Sequence, residues 1–308
     1  MKSEEITTVI IECDDFVKFF LYPHEVHNFH YKDFINKTKC SPHHETFQKD
    51  SDIPWNGWIF RGQASPLWNL SPTIERTFSS LNIPLNKYHE REISLLREFQ
   101  RTFYQYSNHI PDLNDYYEWF AIMQHSGAPT RFLDFTYTPF VAAFFAIENL
   151  NFSQEGEFCL WCIDKIWMEY KFKEFLPDFI KKQYEIDPLG KTIETQKIIM
   201  NNENPCNTII NISPFYLNER QQIQQGLFLF STNLSKPLEQ ILFSMIDQED
   251  EKNKIFKLVI KYTPGQIRKM INFMDKINIS RRTLFPGLDG FAASLKLKSA
   301  LAWLTPFI

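Results

Sequence analysis

The chain has 308 residues, 44% hydrophobic and 23% charged, with a formal net charge of -4. This composition excludes disorder, collagen and a coiled coil, and leaves one large domain or two small ones. The charge argues against a broad grip on nucleic acid or an anionic membrane, but leaves room for a local basic cleft. No stretch of about 18 uncharged apolar residues occurs, so no membrane partner is expected and the chain reads as cytoplasmic. Five irregularly spaced cysteines do not form a disulfide framework, which also fits a reducing compartment. Thirty Phe, 12 Tyr and 7 Trp against 9 Gly point to a core filled by aromatic rings.

In chain order, β-branched residues 6–13 predict a strand. Residues 16–21 predict a short helix that Pro23 ends. The polar stretch 36–52 has no periodicity and sets a boundary, giving an N-terminal strand, helix and His-rich arm over 1–54 and a main domain over 55–308. Residues 58–60 read as a strand stopping at Arg61-Gly62, and Ser71-Pro72-Thr73 opens another element. Apolar positions three and four apart predict helices over 89–106 and 116–123, and Pro139 starts a small-plus-aromatic helix to 147. Residues 157–164 read as a strand and 168–194 as an irregular helical insert. Strands are expected at 227–230, 241–246 and 255–262, and helices at 266–277 and 288–297. The fold class is α+β, one compact domain with the late strands grouped in one sheet, plus the N-terminal appendage.

Three constellations could carry chemistry. In 58–63 an arginine, Arg61, closes an apolar strand beside Gly62 and Gln63. A guanidinium there offers a planar fork to phosphate, and glycine lets a ligand approach the backbone. The alternative is a salt bridge at a sheet edge. Residues 123–136 gather His125, Thr130, Arg131, Asp134 and Thr136 around two turn-formers just before an apolar helix. Polar groups that dense must be mutually satisfied or used. Here the alternative pairs Arg131 with Asp134 and leaves His125 capping a helix end. Residues 218–228 run amides, including Gln224 and Gln225, into a strand through Gly226. Amides offer donor and acceptor together to a ribose or carboxamide, although a solvated helix face would look the same.

Metal is not expected. His24, His27, His30, Cys40, His43 and His44 have no reciprocal ligand pair, and Cys159 and Cys162, three apart on a strand, point to opposite faces. No P-loop, Rossmann glycine fingerprint or nucleophile elbow is present.

Taken together, residues 58–63, 123–136 and Gln224-Gln225-Gly226, with the late 283–290 stretch, resemble the FRG-domain family, named for its Phe-Arg-Gly. The pattern also resembles ADP-ribosyltransferases, which place an aromatic-Arg-Gly on the first core strand and a Gln/Glu motif on a later one. That resemblance implies an ADP-ribosyltransferase-like mixed or antiparallel sheet flanked by helices, with NAD as co-substrate. It puts Arg61, His125, Asp134 and Gln225 in catalysis, and Arg61, Gly62, Gln63, Thr130, Arg131, Thr136 and Gln224 around the cofactor. Arg76 and Arg220 are secondary phosphate candidates, and Trp58, Phe60, Phe135 and Tyr137 the nearest aromatic ones. His125, with a pKa near working pH, could serve as base on the acceptor. The sequence departs from the pattern where the catalytic glutamate would stand, because Gln224 and Gln225 cannot be ionised; Asp134 or Glu219 would then supply the charge. The implied activity is a toxin-like transferase modifying an intracellular acceptor, preferably messenger RNA and otherwise protein, in anti-phage defence or under an antitoxin. The alternatives are a non-catalytic nucleotide- or peptide-binding module, an NAD glycohydrolase or a nuclease.

Overall fold

The computed structural model describes residues 6–26, 55–187, 192–200, 206–212, 219–247 and 249–302. Among the described residues seven strands, β1 (Thr7–Glu12), β2 (Trp58–Gln63), β3 (Phe132–Thr136), β4 (Gly156–Asp164), β5 (Ile209–Ile212), β6 (Gly226–Ser231) and β7 (Ile255–Tyr262), make one sheet in the order β1-β7-β4-β2-β3-β6-β5. β1 lies parallel to β7 and every other pairing is antiparallel, so the sheet is mixed. The helices are α1 (Phe16–Leu21), α2 (Thr73–Ser80), α3 (Tyr88–Phe103), α4 (Tyr116–His125), α5 (Pro139–Ile147), α6 (Lys165–Phe175), α7 (Asp178–Ile186), α8 (Ile193–Met200), α9 (Glu219–Ile223), α10 (Leu238–Ser244), α11 (Pro264–Lys276), α12 (Arg281–Leu284) and α13 (Leu288–Ala302).

Strand alternation distributes the aromatic rings over both faces. On one face Ile59, Trp161, Ile163, Phe135 and Leu229 pack under α6 and α10. The opposite face carries two separate clusters. Phe60, Leu160, Cys162 and Leu258 pack with α1, α5 and α11, whereas Phe132, Phe228 and Phe230 pack with α3 and α4. The seam between those clusters falls where β2 meets β3, and those strands are registered at one pair alone, Phe60 with Thr136.

Several expectations are corrected. Residues 241–244 are the end of a helix, α10, and Met245 and Ile246 leave it in a turn. Leu238, Ile241, Leu242 and Met245 recur at three and four and are all buried, a spacing that fits a helix after Pro237 rather than a strand. The late strands do share one sheet, with β5 beside β6, but they are interleaved with the early ones: β6 also pairs with β3, and β7 lies between β1 and β4, because cross-strand packing rather than chain order chooses neighbours. The described part of the N-terminal stretch is no appendage. β1 forms the sheet edge beside β7, and Phe16, Phe19 and Phe20 enter the core, with Phe19 stacked on Trp55 at 5.0 Å. Leaving three phenylalanines on an arm would forgo their burial, worth roughly 1.5–3 kcal/mol each. β3 and the short β5 complete the sheet without a strong sequence signal of their own. His27, His30, Cys40, His43, His44 and Asn218 lie outside the described residues, as does the side chain of His24. Among the described residues no group of His, Cys, Asp and Glu is placed to hold a metal ion, and no helix is long and apolar enough to cross a membrane.

Candidate functional site

Beyond the Phe60–Thr136 pair, β2 and β3 separate, and a cleft of about 430 Å³ opens along the seam. This falls within the roughly 300–1,000 Å³ usual for small-molecule pockets. Arg61 spans the gap that ladder hydrogen bonds would otherwise fill, its Nη1 donating to the Asp134 carbonyl at 2.8 Å. Its Nε is buried and finds no partner among the described residues. Burial holds the guanidinium below its ordinary pKa; Asp134 opposes that fall and Arg76 adds to it. A cation partly stripped of water, with a donor left over, is a standing invitation to an anion.

The cleft wall behind Arg61 is α5, and Gly62 sets how close it comes. A Cβ on Gly62 would fall on the carbonyl oxygen of Ala142, so this glycine serves the close approach of helix and strand, where the sequence had suggested room for a ligand to approach the backbone. At its far end α5 delivers Glu148. Arg281 Nη1 donates to both Glu148 oxygens, at 2.8 and 3.1 Å. Burial nonetheless raises the Glu148 pKa, while Arg281, Arg220 and Lys296 pull it down. Arg281 and Arg220 both lie against the Phe285 ring, at 3.6 and 4.0 Å from its centroid. A ring in contact with both guanidiniums offsets part of their mutual repulsion. Three arginines and two carboxylates therefore line one cleft, in a chain whose net charge is negative.

The sequence-predicted residues divide. Arg61, Gly62, Asp134, Thr136, Gln224 and the secondary candidate Arg220 all line the cleft. The Asp134 side chain is exposed and accepts from Gln124 Nε2 at 2.7 Å. Thr136 Oγ1 donates to the Gln224 carbonyl at 2.7 Å, and Gln224 Nε2 donates to the Leu284 carbonyl at 2.9 Å, tying β3 and the Phe285 loop together. Gln225 stands beside the lining on a left-handed backbone, its Oε1 accepting from Thr138 Oγ1 at 2.9 Å. His125 is exposed at the end of α4. Partial burial and Arg220 lower its pKa and Asp134 raises it, which places it near the cleft mouth.

The remaining candidates are occupied elsewhere. Arg131 is 1% exposed and paired with Glu92, not with Asp134. Nε donates to Oε1 at 2.7 Å, Nη2 bonds Oε2, and Nη1 reaches the Ser231 carbonyl at 3.2 Å. It is a core ion pair and contributes nothing to the cleft lining. Thr130 is fully buried and donates to Gln124 Oε1, so it supports the amide that holds Asp134. Gln63 is buried between the Trp161 indole N–H, which it accepts at 2.8 Å, and the Asn69 carbonyl. Arg76 is spent on the Ser71 carbonyl and Thr73. The aromatic candidates Phe60 and Phe135 line the cleft, whereas Trp58 is core. Sequence reasoning missed Glu148, Phe145 and Arg281, because only the tertiary fold brings the end of α5 and the start of α12 to the same opening.

Residues 56–155 match the FRG domain family model. The chain carries an FRG domain. The matched stretch is about a third of the chain and contains β2, β3 and α5, stopping one residue short of β4. The FRG domain thus supplies Arg61, Asp134 and Glu148, while Arg220, Gln224, Arg281 and Phe285 come from the residues after it. No curated protein and no solved structure matches the chain.

Proposed function

We propose that the cleft binds NAD and that the protein is an ADP-ribosyltransferase acting on an intracellular acceptor. The observation that carries this is the buried Nε of Arg61, without a partner among the described residues, at the point where β2 and β3 part, with Arg220 and Arg281 lining the same opening. Guanidiniums recognise a pyrophosphate by fork geometry and charge together. NAD supplies an activated ADP-ribosyl group whose transfer releases nicotinamide. The chain's own residues would divide the work as follows. Arg61 and Arg220 hold the phosphates, and Gln224 and Thr136 order the wall facing them. Phe145 and Phe285 offer flat apolar surface to a ring. Asp134 and Glu148 bring negative charge near the reacting carbon in the role that Gln224 and Gln225 cannot fill. The Asp134 carboxylate is held by Gln124 and does not have to be reorganised at the moment of reaction. An enzyme of this kind made in its own cytoplasm must be restrained, and we place it as a defence toxin held by a partner protein.

The test follows nicotinamide release and label transfer from radiolabelled NAD to total RNA or total protein. Arg61→Met and Asp134→Ala are expected to lower both by on the order of 100-fold or more, the usual cost of losing one preorganised charge partner. Full-length protein that is folded, binds no NAD and releases no nicotinamide with any acceptor would refute the reading.

A further inference from the structure

The ion pair Glu148–Arg281 is not only a cleft residue pair; it is also a shared wall. On its far side lies a second cavity of about 750 Å³, lined by Glu148 and Arg281 again together with Asn149, Asn151, Arg268 and Lys296. A third, of about 500 Å³, continues it past Arg281 through Asn272, Asn278, Arg282 and Lys298. Over both linings five cations face two carboxylates, Glu148 and Asp275. That local balance runs against the chain's net charge of -4. Lys296 is exposed yet close enough to lower the Glu148 pKa, so the charge of the second cavity is felt in the first. Outside both linings, the exposed Phe291 ring lies beside Arg282 of the continuation, whose guanidinium is 5.4 Å from the ring centroid.

We propose that this second cavity and its continuation bind a single-stranded nucleic acid and present it to the NAD cleft as the acceptor. The proposal rests on the transferase reading for its chemistry and on the groove for its ligand. Spaced cations suit a phosphate backbone, asparagine amides suit base edges, and an exposed ring suits stacking, a combination that a single strand uses and a duplex does not. Glu148, reachable from both sides, is placed to take the acceptor's proton. A nucleophilic O–H or N–H of the nucleic acid forms a bond to the ribose C1′ as the bond from C1′ to nicotinamide breaks. Nicotinamide leaves with that electron pair, and the proton passes to the Glu148 carboxylate.

The experiment uses the full chain and the double variant Arg268→Gln/Lys298→Gln, positions that line the second cavity and its continuation and not the NAD cleft. Binding of short fluorescent single-stranded RNA and DNA is measured by anisotropy across a salt series, beside nicotinamide release without acceptor and label transfer to each strand. Wild type is expected to bind at least one strand type, and the variant to bind it about tenfold more weakly. The salt slope should fall by about 1.4, from two lost phosphate contacts at roughly 0.7 each. Acceptor-free nicotinamide release should be unchanged. The two strand types separate RNA from DNA as the source of the ligand. No binding of either strand, or equal binding by variant and wild type, overturns the proposal, as does label that passes only to protein. Strand binding lost in the variant without any NAD consumption would keep the groove as a nucleic-acid site while refuting the transferase reading.

Discussion

Replacing Arg131 by Met separates a core ion pair from a ligand residue. Glu92 is fully buried, and its two oxygens take hydrogen bonds from Arg131, which also serves the Ser231 carbonyl. Two charge-assisted bonds at about 1.5–3 kcal/mol each amount to about 3–6 kcal/mol. Breaking a buried pair from one side is typically worth about 3–5 kcal/mol, because the remaining charge has no water to turn to. Arg131→Met should therefore lower unfolding free energy by about 3–5 kcal/mol, read from urea denaturation. Glu92→Leu combined with Arg131→Met, which removes both charges, should recover most of that loss. Nicotinamide release by the fraction still folded should match wild type. An Arg131→Met protein within about 1 kcal/mol of wild type that no longer releases nicotinamide would refute the reasoning and return Arg131 to the cofactor.

Four further outcomes are expected. Gly62→Ala forces a methyl onto the Ala142 carbonyl, so it should cost about 1–3 kcal/mol or more and weaken NAD binding as α5 shifts, seen in thermal melts and titration. Burial and then Arg131 hold the His89 pKa at about 4. The unfolded chain thus binds the extra proton first, and stability should fall as pH drops from about 6.5 through 4; His89→Gln should flatten that limb of a pH–stability series. Burial raises Glu75 to about 7 despite its bonds from Leu238 N and Ser71 Oγ. Its contribution is full below about 4.5 and lost as pH rises through 7, so Glu75→Gln should remove a decline over that window in the same series. Gln224→Ala, which frees the loop bearing Phe285, should reduce nicotinamide release by more than Gln225→Ala, whose side chain bonds Thr138 outside the lining; equal effects would count against the assignment.

What could be read from the chain follows from how local each signal is. β2 and β7 are short-range patterns of branched and aromatic residues, and α3 and α11 are periodic, the latter opened by a Thr263–Gln266 capping box. α10 deceived because Ile241, Leu242, Phe243 and Ile246 make a dense apolar run, in which a period of two and one of 3.6 look alike over six residues. Arg61 and Asp134 were legible because each stands as a polar group against an apolar strand. Arg131, equally conspicuous, was misleading: its partner Glu92 lies 39 residues earlier on α3, and nothing local separates a guanidinium aimed at a carboxylate in the core from one aimed at a ligand. Glu148 had no local mark at all, since its meaning depends on Arg281, 133 residues later.

The parallel pairing of β1 with β7 has a consequence for synthesis. Residues 7–12 leave the ribosome well before residues 255–262, the strand they lie beside in the sheet. Arg281 and Phe285, which close the cleft, emerge later still. A nascent chain therefore carries Arg61 and Asp134 with no finished opening around them until Phe285 has followed. Whatever this cleft does to the cell that makes it begins only after Arg281 and Phe285 have been synthesised.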